Sequence, residues 1–323
     1  MPHDHAHHDH GHGHHHDHDH GHGHHHHITP EQLTGDRRMA AAVGVNVLLT
    51  FAQIVGGLVS GSLAMIADAL HNFSDAASLL IAVWARRIAR RPADDDMTFG
   101  YGRAEVVAAL INLTTLIVIG LYLLYEAVLR FFNPEPVTGW LVVVIAGVAL
   151  VVDLVTAWLT FKMAQDSVNI RAAFLHNLAD ALGSVAVILA GTLILLFGWT
   201  WVDPLVTLGI AAYILWLAAS EIGGVIRILM MGTPPRMAPE DVLKSAEGIV
   251  GVTEVHGAHL WQIDEKQTAL MAHVVIERGA WSRADAIKAQ VKDALRRDHG
   301  LVHVTLEMEC AAHVCVDPRR IGM

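Results

Sequence analysis

Residues 104–130 read AEVVAALINLTTLIVIGLYLLYEAVLR, an apolar stretch long enough to cross a membrane as one helix. About 20 predominantly apolar residues in a helix suffice to cross the hydrocarbon core. Stretches of this kind alternate with short polar loops from Met39 to Met231 and predict six transmembrane helices. The predicted spans are residues 38–59, 62–85, 104–130, 138–162, 169–197 and 200–229.

The composition supports a membrane protein. Hydrophobic residues make up 53% of the 323 residues and charged residues 17%, whereas a soluble domain carries about 25% charge. Six buried helices of a soluble protein are the alternative, but so many apolar spans in so short a region argue against it. The net charge of -10 argues against nucleic acid as a partner, and two cysteines are too few for a disulfide framework.

The first 27 residues consist almost entirely of His, Gly and Asp, and they hold sixteen of the 24 histidines. Such a segment has no apolar residues to bury, so we expect residues 1–35 to form a disordered tail that binds metal. A purification tag is the alternative, although tags are usually uninterrupted runs of histidine.

Arginine and lysine positions predict the orientation, because these residues concentrate in cytoplasmic loops. Basic residues flank the spans at 37–38, 86–103, 162–171 and 227–236, whereas the opposite side holds only Arg130. Both termini are therefore expected in the cytoplasm, with the protein in a bacterial inner (plasma) membrane.

A second domain follows the break at 232–235, which reads Gly-Thr-Pro-Pro. Its pattern predicts a helix at 239–248, strands at 252–263 and 267–277, a helix at 282–298 and a strand at 301–309. The αββαβ order predicts a small cytoplasmic α/β domain with a ferredoxin-like or metallochaperone-like fold. The chain is thus divided into residues 1–35, 36–231 and 232–323.

One heptapeptide occurs twice in the membrane region, as LHNFSDA at 70–76 and LHNLADA at 175–181. Each copy places His and Asp four residues apart on one helix face. The copies lie three spans apart, so their helices run antiparallel. This pattern predicts a 3+3 inverted repeat, in which transporters often hold a site near the membrane midplane.

The two copies predict one metal site, because ionisable groups at this depth are costly unless paired. Two imidazoles and two carboxylates suit tetrahedral Zn²⁺ and are too rich in nitrogen for Mg²⁺ or Ca²⁺. Co²⁺, Ni²⁺, Cd²⁺ and Fe²⁺ remain open, as does simple hydrogen bonding between helices, although the repetition argues against the latter. The predicted ligands are His71, Asp75, His176 and Asp180.

Other polar residues of the spans are assigned supporting roles. We expect Asp68 to orient His71 and Asp153 to line the same cavity, while Asn46, Gln53 and Asn112 form hydrogen bonds between helices.

A further candidate metal site lies near the C-terminus, where residues 310–315 read CAAHVC. The spacing of Cys310, His313 and Cys315 is typical of ligands for Zn²⁺ or another soft metal. A pair of reduced cytosolic thiols is the alternative.

These features together resemble the cation diffusion facilitator family of zinc and divalent-metal exporters. The similarity includes FGYGRAE at 99–105, Asp203-Pro204, Gly232-Thr233-Pro234 and VHGAHLW at 255–261. It implies a homodimer, proton antiport and a metal-sensing cytoplasmic domain, in which His256 and His273 match metal-binding positions. Histidine at the position of His71 is associated in this family with zinc rather than cadmium.

The chain departs from the family pattern in the loop after the second span. Tyr101 stands where some members have a further histidine, so we expect no metal site there, although Asp94, Asp95 and Asp96 remain.

The sequence thus predicts a secondary active transporter that exports Zn²⁺ in exchange for H⁺, with the histidine-rich tail raising the local metal concentration. An exporter of Co²⁺, Ni²⁺, Cd²⁺ or Fe²⁺ and a metal sensor that does not transport are the alternatives. A membrane metalloprotease is disfavoured because the chain has no HExxH motif.

Overall fold

The computed structural model describes residues 37–163, 168–315 and 318–322. Within these ranges, the side chains of residues 37–43, 45–46, 159–163, 168–174 and 176 are outside the description. The predicted tail at 1–35 and the side chain of the predicted ligand His176 therefore lie outside the described part of the chain.

Each of the six predicted spans forms a helix. The helices contain 24 to 30 residues, which at 1.5 Å per residue gives lengths of about 36 to 45 Å. They are α1 (Arg37–Ser60), α2 (Leu63–Ala89), α3 (Ala104–Phe132), α4 (Gly139–Met163), α5 (Val168–Phe197) and α6 (Val202–Leu229).

Four of these helices are long and apolar enough, within the described residues, to cross a membrane. The stretches that meet this condition are Ala104–Phe132, Gly139–Trp158, Asn177–Phe197 and Val202–Leu229. The corresponding stretch of α1, Val47–Ser60, is shorter, and α2 carries two carboxylates and, in its last turn, Arg86 and Arg87. A membrane crossing by α1 and α2 stays a prediction.

The packing of the bundle follows the two halves of the sequence. Contacts join α1 to α4, α2 to α5 and α3 to α6, so each helix touches its counterpart in the other half. The pair α4–α5 packs most extensively, and small residues permit this approach. A β-carbon on Gly139 would lie 2.7 Å from the carbonyl oxygen of Gly191. This arrangement fits the predicted inverted repeat.

A buried carboxylate at the start of α6 caps the start of α2. Asp203 is 1% exposed and accepts hydrogen bonds from the Ser62 hydroxyl and the Leu63 N–H, the latter at 2.8 Å. The first N–H groups of a helix have no partner within it, so Asp203 supplies one from a helix about 140 residues away. Arg130 reinforces this end of the bundle by donating to the Gly61 carbonyl at 2.8 Å.

The C-terminal domain has the predicted αββαβ order. Its elements are α7 (Pro239–Glu247), β1 (Val252–Gln262), β2 (Thr268–Ile276), a 3₁₀ turn (Trp281–Arg283), α8 (Ala284–His299) and β3 (His303–Cys310). In the sheet, of order β1-β2-β3, β1 and β2 are antiparallel and β2 and β3 are parallel. The helices cover one face of the sheet and bury Leu243, Leu270, Val291 and Leu295 between the layers.

The last described residues fold back along β1. The Gly257 N–H donates to the Arg319 carbonyl at 2.7 Å, and the Gly322 N–H donates to the Ala258 carbonyl at 3.0 Å. The Arg320 guanidinium also donates two hydrogen bonds of 2.9 Å to the Glu247 carboxylate on α7. Residues 318–322, which we call the return segment, are thus held by backbone and side-chain contacts.

Arg103 connects the helix bundle to this domain. Its guanidinium donates to the backbone carbonyl of Ile263 at 2.9 Å and to that of Gln262 at 3.5 Å. Because Arg103 immediately precedes α3, the start of α3 is fixed against the end of β1.

Replacement of Asp203 by alanine is expected to destabilise the helix bundle by about 2 kcal/mol, because hydrogen bonds to a charged acceptor contribute about 1.5–3 kcal/mol. Thermal unfolding of the purified protein in detergent measures the effect. Glu135→Ala is the matched control, because that carboxylate is 56% exposed and exposed ion pairs contribute little. Equal unfolding temperatures for the two variants would contradict the capping role.

Candidate metal centres

The two halves of the bundle bring three predicted ligands together. The distance from His71 Nε2 on α2 to Asp75 Oδ2 is 3.7 Å, and its distance to Asp180 Oδ1 on α5 is 3.8 Å. One ligand atom from each of the three residues lies within 4.8 Å of the others. The His71 and Asp180 residues are only 8% and 9% exposed. The cluster therefore lies between α2 and α5, as the repeated heptapeptide predicts.

The spacing of these atoms fits a tetrahedral metal ion. Zinc–ligand distances of 2.0–2.2 Å place neighbouring ligand atoms about 3.4 Å apart in a tetrahedron. The two measured separations, 3.7 and 3.8 Å, exceed this value by a few tenths of an ångström. A divalent cation between these atoms would need only small side-chain movements.

The fourth predicted ligand, His176, lies on α5 one turn before Asp180. Its backbone is helical, whereas its side chain lies outside the described residues. Its participation stays a prediction.

Two further carboxylates, Asp68 and Asp153, are buried in the bundle. Asp68, predicted to orient His71, accepts a hydrogen bond of 2.9 Å from Gln53 Nε2 on α1. Asp153 on α4 accepts one of 3.1 Å from the Ser184 hydroxyl on α5. Gln53 thus forms the predicted hydrogen bond between helices, and Asp68 binds α1 in addition to any role beside His71.

A second cluster of potential metal ligands lies on the sheet of the C-terminal domain. His256 on β1 and His273 on β2 are paired across the strands, and their rings stack with centroids 5.3 Å apart. Glu309 on β3 contacts both rings, at 2.5 Å from His273 Nδ1 and 3.5 Å from His256 Nε2. Cys315 Sγ lies 3.7 Å from His273 Nδ1 and completes the group.

His256 is the most buried member of this cluster. His256 is 2% exposed, and neither ring nitrogen has a hydrogen-bond partner within the described part of the chain. A buried polar atom without a partner is costly. Gly257 leaves room for the neighbouring ring, since a β-carbon there would lie 3.2 Å from His273 Cδ2.

Glu309 is the member of this cluster that the sequence analysis missed. Burial alone would raise its pKa, but hydrogen bonds from His273 and Cys315 hold the pKa below its usual value. The carboxylate is therefore ionised and available to a cation. In the sequence Glu309 occupies a polar position of the β3 alternation, two residues after Glu307 and immediately before Cys310, so periodicity alone does not distinguish it from a solvent-facing carboxylate.

The structure divides the C-terminal cysteine motif between two places. Cys315 belongs to the histidine cluster. Cys310 Sγ instead lies 3.1 Å from His313 Nδ1. Among the described residues, Cys310 and His313 belong to no group of three or more potential ligands. The hydrogen bond to His313 lowers the pKa of the Cys310 thiol. The hydrogen bond to Glu309 and burial raise the pKa of Cys315, so a metal there has to displace a proton.

In the acidic loop after α2, the Asp94 carboxylate accepts hydrogen bonds from within the loop. The Tyr101 hydroxyl donates to Asp94 Oδ2 at 2.8 Å, and the Met97 N–H donates to Asp94 Oδ1 at 2.8 Å. Tyr101, which replaces the histidine of some family members, thus stabilises the loop through Asp94.

Comparison with family models covers both domains of the chain. A model described as the cation efflux transmembrane domain matches residues 39–230. A second model, described as the cation efflux protein cytoplasmic domain, matches residues 234–311.

Several named proteins are similar over most of their length. A cadmium, cobalt and zinc/H(+)-K(+) antiporter of Bacillus subtilis is 40% identical over 266 residues, which are 81% of this chain and 85% of that protein. A zinc transporter, ZitB, of Pectobacterium atrosepticum is 36% identical over 84% of this chain and 85% of that protein. A metal cation efflux system protein, CzcD, of Cupriavidus metallidurans is 31% identical over 85% and 87%, respectively.

Substitution of the two cysteines, the only ones in the chain, tests the C-terminal cluster. Co²⁺ bound by a thiolate gives a sulfur-to-metal absorption band that histidine and carboxylate ligands do not produce. We expect the intact chain and Cys310→Ser to show this band and Cys315→Ser to lose it. A band that depends on Cys310 instead would contradict the ligand set.

Proposed function

This chain belongs to the cation efflux, or cation diffusion facilitator, family, and from that premise we propose that it exports Zn²⁺ from the cytoplasm in exchange for H⁺. It is a multi-pass membrane transporter of divalent cations and not an enzyme. The observation that carries the proposal is the convergence of His71, Asp75 and Asp180, whose ligand atoms lie within 4.8 Å of one another.

Coupling to protons follows from the chemistry of the ligands. Imidazole and carboxylate groups bind a metal only when deprotonated, so metal binding releases protons and protonation releases the metal. Histidine titrates near neutral pH. The proposed ligands His71, Asp75, His176 and Asp180 therefore exchange Zn²⁺ for H⁺.

Alternating access follows from the position of the site between the two halves. His71 and Asp75 belong to α2 of the first half, and Asp180 belongs to α5 of the second. Rocking of one half against the other opens such a site to each side of the membrane in turn. The cycle loads Zn²⁺ from the cytoplasm, opens outward and returns with bound protons, driven by an acidic exterior.

Zinc is the proposed substrate because the site combines imidazole and carboxylate ligands in tetrahedral spacing. The relatives' names include cadmium and cobalt as well as zinc, so export of these ions by the same mechanism is the second candidate. The Bacillus subtilis relative is also named for exchange with K⁺. We therefore propose K⁺ as a second counter-ion beside H⁺.

The C-terminal cluster is proposed as a regulatory metal site. His256, His273, Glu309 and Cys315 lie in the cytoplasmic domain, away from the bundle, where they sense cytoplasmic metal. The match of residues 234–311 to the family's cytoplasmic domain supports a homodimer. Both termini are proposed to be cytoplasmic, in a bacterial inner membrane.

Replacement of Asp180 by alanine tests the transport site. We expect zinc flux into proteoliposomes with an imposed pH gradient to fall at least about 100-fold, because even residues that only support metal ligands affect binding by 10–100-fold. Glu135→Ala is the control and should transport normally. Unchanged flux in Asp180→Ala would show that the transport site lies elsewhere. Zinc flux that does not depend on the pH gradient would exclude exchange with H⁺.

Deletion of residues 1–27 tests the histidine-rich tail. We expect flux to decrease at low zinc concentration and to recover at high concentration, because the tail acts through effective concentration. Rates measured over a range of zinc concentrations give the comparison. Complete loss of transport at all concentrations would make the tail part of the pathway.

A further inference from the structure

A tyrosine on α6 contacts the proposed transport site from outside the two helices that carry its ligands. The rings of Tyr213 and His71 have centroids 6.2 Å apart and an interplanar angle of 84°, which is an edge-to-face arrangement. Aromatic rings attract each other in this geometry at centroid distances of about 4.5–7 Å. Tyr213 is thus a direct neighbour of an imidazole that we propose to bind the metal.

The same side chain lies near the carboxylates of the site. Tyr213 interacts electrostatically with Asp180 and with Asp75. Together with the ring contact to His71, these interactions place Tyr213 beside all three of the described ligands.

The packing of α6 explains how Tyr213 reaches this position. The helix contacts both α2, which carries His71 and Asp75, and α5, which carries Asp180. On either side of Tyr213 in the sequence, Ala211 is 0% exposed and Ile214 is 1% exposed, and both belong to an apolar core that α6 shares with α2 and α3. The backbone that carries Tyr213 is therefore fixed against α2.

A second aromatic contact holds the tyrosine ring. The ring of Trp216, one turn later on α6, lies 6.4 Å from that of Tyr213 between centroids, at an interplanar angle of 33°. Side chains that packing locks in one conformation are what keeps a binding site in its working geometry. Tyr213 is therefore suited to hold the imidazole that it contacts.

Asp68, the residue that the sequence favours for orienting His71, is hydrogen-bonded to two other helices. Its hydrogen bonds join it to Gln53 on α1 and to Ser184 on α5. Tyr213, by contrast, touches the imidazole ring itself. Ring orientation matters for a metal ligand, because groups that only orient ligating histidines change metal affinity by about 10–100-fold.

We infer that Tyr213 is a positioning residue of the transport site, which holds the His71 imidazole where it binds the divalent metal. Tyr213 acts through His71 and is not itself a ligand. The inference rests on the proposed function, to which it adds a part for α6, the one helix that contacts both α2 and α5 and carries none of the four proposed ligands among the residues that argue here.

Zinc transport by variants of Tyr213 in proteoliposomes tests this role. Tyr213→Leu removes the ring, and we expect the KM for zinc to rise about two- to tenfold, which corresponds to about 0.5–1.5 kcal/mol for one aromatic pair. The maximal rate should change little, because the metal ligands remain. Tyr213→Phe keeps the ring contact and should retain the KM of the unaltered protein. Tyr122→Leu is the matched control, because Tyr122 lies on α3 and is 58% exposed.

A double-mutant cycle tests whether Tyr213 acts through the imidazole. His71→Asp replaces the ring by a carboxylate ligand, so that no imidazole remains for Tyr213 to hold. Because substitutions of residues that act together are not additive, we expect Tyr213→Leu to change the KM for zinc less in the His71→Asp background than in the unaltered protein. Equal changes in the two backgrounds would overturn the inference.

An unchanged KM in Tyr213→Leu would also overturn the inference, as would an equal rise in Tyr122→Leu. A Tyr213→Phe variant that behaves like Tyr213→Leu would overturn it as well, because the hydroxyl and not the ring would then be responsible. Absence of zinc flux from the unaltered protein under every gradient would instead overturn the proposed function itself.

Discussion

Burial of ionisable side chains among apolar helices is the constraint on which this molecule depends. His71, Asp68, Asp153 and Asp180 are each less than 10% exposed, in helices whose outer faces carry leucine, valine and aromatic residues. Such groups are stable only when other polar groups or cations compensate them. The bundle therefore has to place side chains from different helices within a few ångströms of each other.

The two halves of the bundle bring such side chains together through one repeated sequence, which occurs once in α2 and once in α5. Because α2 contacts α5, the two copies of the heptapeptide bring His71, Asp75 and Asp180 together. Asp203 and Arg130 hold the linker before α2 at one end of the bundle. Arg103 holds α3 to the C-terminal domain at the other. The proposed transport site lies between these two fixed ends.

Much of this architecture was predictable because long apolar spans and an i, i+4 motif are local signals. The six helices follow from the length of the apolar spans, the αββαβ order follows from periodicity, and the approach of His71, Asp75 and Asp180 follows from the repeat. The C-terminal cluster was only partly predictable, since strand register decides its membership. Pairing brings His256 opposite His273, and β3 then adds Glu309, which no spacing rule connects to either histidine. The contact between Asp68 and Gln53 likewise depends on how α1 packs against α2.

The return segment has a consequence for how the protein behaves in solution. β1 is the edge strand of the sheet, and an uncovered edge is a template for pairing with strands of other chains. Hydrogen bonds between Gly257 and Arg319 and between Ala258 and Gly322 occupy part of that edge, and the ion pair of Arg320 with Glu247 secures the covering residues. The last described residues thus cover part of one edge of the sheet against pairing with another chain, whereas the opposite edge strand, β3, carries Glu309.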